Sequence, residues 1–308
     1  MDHRSIGSLR VSLVGLGCNN FGMRIDAAAT ERVVHTALDE DINFFDTADI
    51  YGTTKSEEFL GRALAERRSR AIIASKFGMA VDDQRKGARP EYVRQACDDS
   101  LHRLGTDHID LYQLHQPDPN VPIADTLGAM DGLVKAGKVR EIGCSNFSAE
   151  QLDEAARATK AGAARFVSVQ NEFSLLHREP ERGVLPACER MGLAFLPFFP
   201  LASGLLTGKF EPGKPAPADS RLSLSWTSRF TTDTNVRIAE ALKAFAAARH
   251  HTLLELAFSW LASWPQVASV IAGATSPEQV RANAAAVNWS LSREELAEID
   301  RLTRDIDD

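Results

Sequence analysis

The chain predicts an α/β fold, a (β/α)8 TIM barrel, and three observations carry that reading. Eight short apolar runs rich in β-formers recur along its 308 residues. Longer amphipathic stretches with helix caps separate them. Polar residues able to do chemistry stand at the trailing ends of several runs, where the strands of a barrel converge on one opening. Near-continuous apolar strands imply a parallel sheet covered on both faces. Eight repeats suggest closure rather than an open doubly wound sheet.

The runs are VSLVGLG (11–17), INFF (42–45), AIIAS (71–75), HIDLYQL (108–114), VREIGC (139–144), RFVSVQ (165–170), LAFLPF (193–198) and VASVIAG (267–273). Ahead of them RSIGSLRVS reads as a short hairpin closing the end opposite the site. The turn GLGCNNFG (15–22) has a misplaced third glycine, so a dinucleotide fingerprint of the open-sheet kind is discounted. Asp26 can cap a helix over 27–40. Pro90 opens a helix over 90–104 that stops before Gly105. Asp125 to Ala136 ends at Gly137, and Ser148 to Ala158 carries a cap at its start. Ser276-Pro277-Glu278-Gln279 reads as a capping box with proline at the first helical position. A last helix covers Ser292–Leu302. Residues 203–232 are irregular, and EPGKPAPADS within them holds three of the 13 prolines. A loop of that length after the seventh strand is usually functional or disordered. The whole chain, 1–308, is expected to form a single domain.

Composition narrows the classes of function. Apolar residues make up 44% and charged residues 25%, ordinary globular usage. A net charge of −7 argues against nucleic acid as a partner. Cys18, Cys97, Cys144 and Cys188 form no C-x-x-C and read as free thiols in a reducing compartment. With no signal pattern and no run of 18 apolar residues, no membrane span and a cytoplasmic location are expected. The histidines include no H-x-H pair, so a metal-dependent hydrolase barrel lacks its ligands and no metal is expected.

Asp46, Lys76 and His115 follow the second, third and fourth runs, and Tyr51 lies five residues beyond Asp46 in DTADIYG. In a barrel these four meet over one rim. A phenol has a pKa near ~10, and an ammonium at ~4 Å with an effective dielectric of ~20 interacts with it by roughly 4 kcal/mol, or ~3 pK units. Lys76 can therefore bring Tyr51 toward neutral pH, while Asp46 keeps Lys76 charged and aimed. His115 can orient a carbonyl oxygen. Singly, each has a plainer reading: Asp46 as a loop anchor, Lys76 as a surface ion-pair residue, His115 as a satisfied loop histidine and Tyr51 as a packed aromatic. Together they suit general acid catalysis on a carbonyl.

With these residues on the page the chain resembles the aldo-keto reductase superfamily. The motifs are DTADIYG (46–52), the strand-end Lys76, LHQPD (114–118), GCSNF (143–147), VQNEFSLL (169–176), PLASGLLTGK (200–209) and IAGATSPEQVRAN (271–283), in family order over essentially the whole chain. The resemblance implies NAD(P)H-dependent reduction of a small-molecule aldehyde or ketone. Tyr51 would be the proton donor, Lys76 and Asp46 would tune it, and His115 would orient the substrate.

It also implies where the cofactor lies. Ser145, Asn146 and Gln170 would hold the nicotinamide amide, although Ser145-Asn146 can equally start the next helix. Phe198 stands where many members have a stacking tyrosine, or is an ordinary core residue. Leu201, Ser203, Gly204 and Leu205 would meet the pyrophosphate. Gly273, Thr275, Ser276, Gln279 and Asn283 would meet the adenosine, and capping alone also explains Ser276 and Gln279. The family often has a basic residue within 273–275 and a glutamate before the asparagine. Here the residues are Gly273, Ala274 and Thr275, and Ala282. Lys209 or Arg281 would have to supply the cation. NADPH is favoured, with NADH the alternative.

For the substrate, Asn19, Asn20, Phe21 and Met23 on the first loop and Trp226 on the long loop are candidate wall residues, and a short C-terminus predicts an open pocket. The competing reading is a cofactor-binding regulatory or redox-sensing barrel with weak or no turnover. A monomer is favoured.

Overall fold

The computed structural model describes residues 1–211, 213–214 and 220–304. The proline-rich centre of the long loop, 215–219 with 212, lies outside them.

A β-hairpin opens the chain, β1 (His3–Ile6) pairing antiparallel with β2 (Leu9–Ser12). Then come β3 (Val14–Gly17), α1 (Ala27–Asp39), β4 (Phe44–Asp46), α2 (Lys55–Leu64), β5 (Ile72–Phe77), α3 (Pro90–Leu104) and β6 (Ile109–Leu114). They are followed by α4 (Ile123–Lys135), β7 (Val139–Ser145), α5 (Ala149–Ala158), β8 (Phe166–Glu172), α6 (Val184–Met191) and β9 (Ala194–Phe198). The chain ends with α7 (Asp233–Ala247), α8 (Leu253–Ala262), β10 (Val270–Gly273), α9 (Pro277–Ala285) and α10 (Arg293–Arg304).

Eight strands form one sheet in the order β10-β3-β4-β5-β6-β7-β8-β9, and every neighbouring pair is parallel. The last seam closes outside the regular strands. Phe195 N–H donates to Gln266 O at 2.7 Å, and Ala268 N–H donates to Phe195 O at 3.0 Å. The barrel the apolar runs predict is therefore present.

Local signals set most boundaries. Asp26 accepts from Ala29 N–H, and Ser148 and Gln151 form a full capping box. Gly105 takes the left-handed conformation (φ 61°) that ends α3. Three expectations need correction. The run 11–17 is two strands, because the chain turns from hairpin to barrel at Leu13. The fourth helix starts at Ile123, directly after Pro122, two residues before the expected start. At α9 the box is half-formed: Ser276 accepts from Gln279 N–H, but Gln279 Oε1 accepts from Thr275 N–H at 2.8 Å.

Two cores result. The larger lies between the barrel wall and the helices. The smaller fills the barrel's N-terminal end, where Ile6, Leu9 and Val11 of the hairpin pack against Phe44, Ala74, Leu111, Val167, Leu196, Ala268 and Ile271. The hairpin is thus the expected plug. It leaves the C-terminal rim as the open end.

Candidate active site

Asp46 ends β4, Lys76 lies one residue from the end of β5, and His115 follows β6. The parallel register sets Asp46 against Ala74 and Lys76 against Gln113, so these strands deliver their polar ends to one rim. Lys76 is fully buried and uses all three ammonium protons. Nζ donates to Asp46 Oδ2 at 2.7 Å, to Thr47 O at 2.9 Å and, at a longer 3.4 Å, to Tyr51 Oη. Asp46 Oδ1 accepts from Gln170 Nε2 at 2.8 Å and more distantly from Gln113 Nε2. The Tyr51 and His115 rings meet edge to face, with centroids 5.9 Å apart.

The turn that presents Tyr51 is tightly built. Tyr51 N–H donates to Ala48 O, and Ser56 N–H donates to Tyr51 O. Gly52, Thr53 and Thr54 follow, all with positive φ. A Cβ at Gly52 would stand 2.3 Å from Phe21 O, so only glycine fits there. This explains Phe21. Its ring is fully buried in the larger core, and its carbonyl backs the Tyr51 turn. The expectation that it walls the substrate pocket is corrected, because an apolar ring at that place gains more by facing inward.

Burial and charge set the protonation states. Burial pushes the Tyr51 phenol above its ordinary value. Lys76 pulls it down and Asp46 pushes it up. Lys76 therefore does not bring the phenol toward neutral pH as its charge alone would, because the aqueous shell is lost and Asp46 already balances the ammonium. Burial pulls Lys76 down, but Asp46 and then Tyr51 outweigh it and hold the ammonium above its usual range. His115 is pushed well below 6.5, by burial first and Lys76 second, so its imidazole is neutral. Its Nδ1 is buried without a hydrogen-bond partner.

A cavity of about 1220 Å³ opens over these groups. That exceeds the usual range of about 300–1,000 Å³ for a single small ligand. Asp46, Tyr51 and His115 form part of its floor, with Ser145, Asn146, Gln170 and Phe198 beside them. Ser145 Oγ donates to Gln170 O at 2.8 Å, and Asn146 Nδ2 donates to His115 O at 2.9 Å, which locks three strand ends together. Leu201, Ser203, Gly204 and Lys209 line the wall after β9, and Gly273, Ser276, Gln279 and Asn283 line the far end. Trp226 lines it too and is 47% exposed. Two expected cofactor residues do not reach the cavity. Leu205 is buried in the core, and Thr275 is turned into its bond with Gln279. Arg281 instead pairs with Glu40 at 3.5 Å, while Glu278 adds a carboxylate to the cavity wall.

The turn after β9 is strained. Phe199, Ala202 and Ser203 all have positive φ, between 45° and 57°, and Gly204 follows at 115°. Ser203 Oγ is buried there without a partner. Such strain gathers where a backbone must fit a ligand. Across the cavity a Cβ at Gly273 would meet Asn20 Nδ2 at 3.0 Å.

The Aldo/keto reductase family profile matches residues 13–304. The chain belongs to the aldo/keto reductase family. Its solved neighbours include a glycerol dehydrogenase of Gluconobacter oxydans, with a TM-score of 0.85 and 30% identity over 98% of this chain and 94% of that one. An aldo-keto reductase of Bacillus halodurans, solved in holo form, gives a TM-score of 0.82 and 31% identity over 99% and 97% of the two chains. A rice (Oryza sativa subsp. japonica) protein named as a probable voltage-gated potassium channel subunit beta is 33% identical over 94% of this chain and 92% of its own length.

In this aldo/keto reductase the cavity holds residues that sequence reasoning missed. Arg24 and Arg221 both line it. The Arg221 guanidinium lies 5.7 Å from the Phe199 ring centroid and 5.4 Å from that of Trp226, and its Nε is buried without a hydrogen-bond partner. Burial and then Arg24 hold Arg221 below its ordinary value. Gln113, fully buried, was also missed. A glutamine near the rim end of the run IDLYQL was the available signal.

Proposed function

We propose that this aldo/keto reductase reduces a small-molecule aldehyde or ketone with a reduced nicotinamide dinucleotide, Tyr51 giving the proton. The observation that carries the reading is the Asp46–Lys76–Tyr51 chain of contacts ending at the cavity floor beside a neutral His115.

The residues present fit a dinucleotide. The cavity is lined from Tyr51 to Asn283, and a Cβ at Gly273 would crowd Asn20 Nδ2 at 3.0 Å where the backbone must come close. Ser203 offers an unpartnered hydroxyl, and Arg24 and Arg221 put positive charge on the walls that a diphosphate needs. Ser145, Asn146 and Gln170 would hold the carboxamide. Gln170 Nε2 is engaged by Asp46, which leaves its Oε1 to accept. Phe198 would stack on the ring. NADPH remains the favoured dinucleotide, with Lys209 the cation for its 2′-phosphate. Glu278 on the wall and Arg281 drawn off to Glu40 narrow its margin over NADH.

When bound, the reduced nicotinamide supplies hydride to the carbonyl carbon. His115, neutral, donates a ring N–H to the carbonyl oxygen and orients it. Tyr51, a neutral phenol, donates its proton to that oxygen as negative charge develops. Lys76 stabilises the tyrosinate left behind through the contact it already makes, and Asp46 keeps Lys76 charged. Cys18, whose thiol burial pushes well above its ordinary range, takes no part.

The rice relative's name supports a second reading, a dinucleotide-occupied barrel acting through a partner. A carbonyl panel read by NADPH and NADH oxidation separates the two. The proposal expects turnover of at least one aldehyde or ketone, and tight dinucleotide binding with no turnover across the panel would favour the second reading. No helix among the described residues is long and apolar enough to cross a membrane.

A further inference from the structure

Behind the Asp46–Lys76 pair, on the helix side of the barrel wall, lies a second buried ionic group that the proposed reaction does not use. Glu57 of α2 is fully buried. Its Oε1 accepts from Ser75 Oγ at 2.5 Å, and its Oε2 accepts from Arg103 Nε at 2.6 Å. Ser75 is the strand neighbour of Lys76. Glu57 and Arg103 thus neutralise one another.

Asp49 is the odd charge beside them. It is 1% exposed, and no side chain donates to its carboxyl oxygens, which have only the backbone N–H of the next residue, Ile50, beside them. Its backbone N–H donates to Lys76 O at 3.1 Å. It sits on the turn that carries Asp46 three residues before it and Tyr51 two residues after it.

We propose that Asp49 is a positioning residue for carbonyl reduction: its backbone N–H ties the Tyr51 turn to Lys76, its buried side chain packs there as a neutral group when protonated, and ionised, it places a second negative charge near Lys76 that opposes proton release from Tyr51. The inference rests on the proposed role of Tyr51.

The surroundings support it. Burial and then Glu57 push Asp49 up to about 7, against smaller opposing effects of Arg103, the Ile50 backbone N–H and Lys76. From α3 the Tyr92 phenol, and from β6 the Tyr112 phenol, face the same region. Burial drives both upward, so they stay neutral and supply no compensating charge. An unpaired buried carboxylate is costly, and protonation is its usual relief. Loss of the proton near neutral pH therefore changes the field at Lys76 and, through it, at Tyr51. The added negative charge disfavours the tyrosinate, so reduction slows as pH rises.

The test is the pH profile of kcat for reduction by the full-length wild type and Asp49→Asn, from pH 5.5 to 8.5. The wild type is expected to lose about tenfold in kcat centred near pH 7, the equivalent of one pK unit, with KM little changed. Asp49→Asn, neutral throughout, is expected to keep its low-pH kcat to the top of the range. Glu57→Gln removes the anion that raises Asp49 and is expected to move the wild-type inflection to lower pH. A flat wild-type profile, or an Asp49→Asn profile that keeps the inflection, overturns the proposal. An infrared difference spectrum between pH 6 and 8 reads Asp49 independently of turnover. A protonated-carboxyl band that titrates in wild type and vanishes in Asp49→Asn is expected, and its absence also overturns the proposal. Should no carbonyl be turned over, the role of Tyr51 fails, while the infrared titration still decides the charge state of Asp49.

Discussion

Lys76 Nζ lies 2.7 Å from Asp46 Oδ2, with the lysine fully buried and the aspartate nearly so. The pair joins two strands and is the anchor on which Tyr51 rests. Removing one partner of a buried pair strands the other without compensation.

Lys76→Met is therefore expected to cost about 3–5 kcal/mol of stability in a denaturant titration and to abolish carbonyl reduction. Lys76→Met combined with Asp46→Leu should recover much of the stability and none of the activity. A single variant as stable as wild type would show that the pair is not the anchor described.

Gly52 governs the Tyr51 turn. With φ at 58° and Phe21 O within 2.3 Å of any Cβ, Gly52→Ala must displace the turn. We expect kcat to fall by about tenfold or more, roughly 1.4 kcal/mol in the barrier, with dinucleotide affinity kept. Unchanged kcat would mean that the turn yields without moving the phenol.

Two buried groups bend the stability profile in opposite senses. His115, depressed well below 6.5 in the fold, contributes stability that is present above 6.5 and lost as pH falls toward its folded value. Asp49, raised from 3.8 to about 7, contributes stability that is full below about pH 4 and lost as pH rises through 7. Melting temperatures should therefore fall for His115→Gln less steeply than for wild type as pH drops below 6.5. They should hold up better for Asp49→Asn between pH 4 and 7. Parallel curves for wild type and both variants would contradict these protonation states.

Arg221 lines the cavity, lies over the Phe199 and Trp226 rings and keeps a buried Nε without a hydrogen-bond partner. Arg221→Met keeps the stem and removes the charge. Dinucleotide affinity in a fluorescence titration should weaken by about tenfold, roughly 1.4 kcal/mol, with a reduced salt dependence. Equal affinity would remove Arg221 from the binding surface.

The barrel was legible because strand and helix periods and end caps are local signals, as Asp26, Ser148 and Gly105 show. The meeting of Asp46, Lys76, Tyr51 and His115 at one rim was legible because each member ends a strand or follows one. Residues that act through side-chain direction were not. Phe21 looks like a loop aromatic but faces the core, while Arg221 sits beside a proline-rich stretch whose path the sequence does not specify. The direction of the Tyr51 shift was also out of reach, since it depends on how completely the phenol is dried. Asp49 reads as one more acid in DTADIYG until Glu57 and Arg103, far apart in sequence, are seen beside it.

The most direct test is Tyr51→Phe, which removes one oxygen and leaves the ring against His115. Single-turnover reduction of a carbonyl that the wild type accepts should drop by at least about a hundredfold, the low end of what a positioned general acid contributes, while dinucleotide titration gives the wild-type affinity. Reduction at near the wild-type rate, with the same affinity, would contradict Tyr51 as the proton donor.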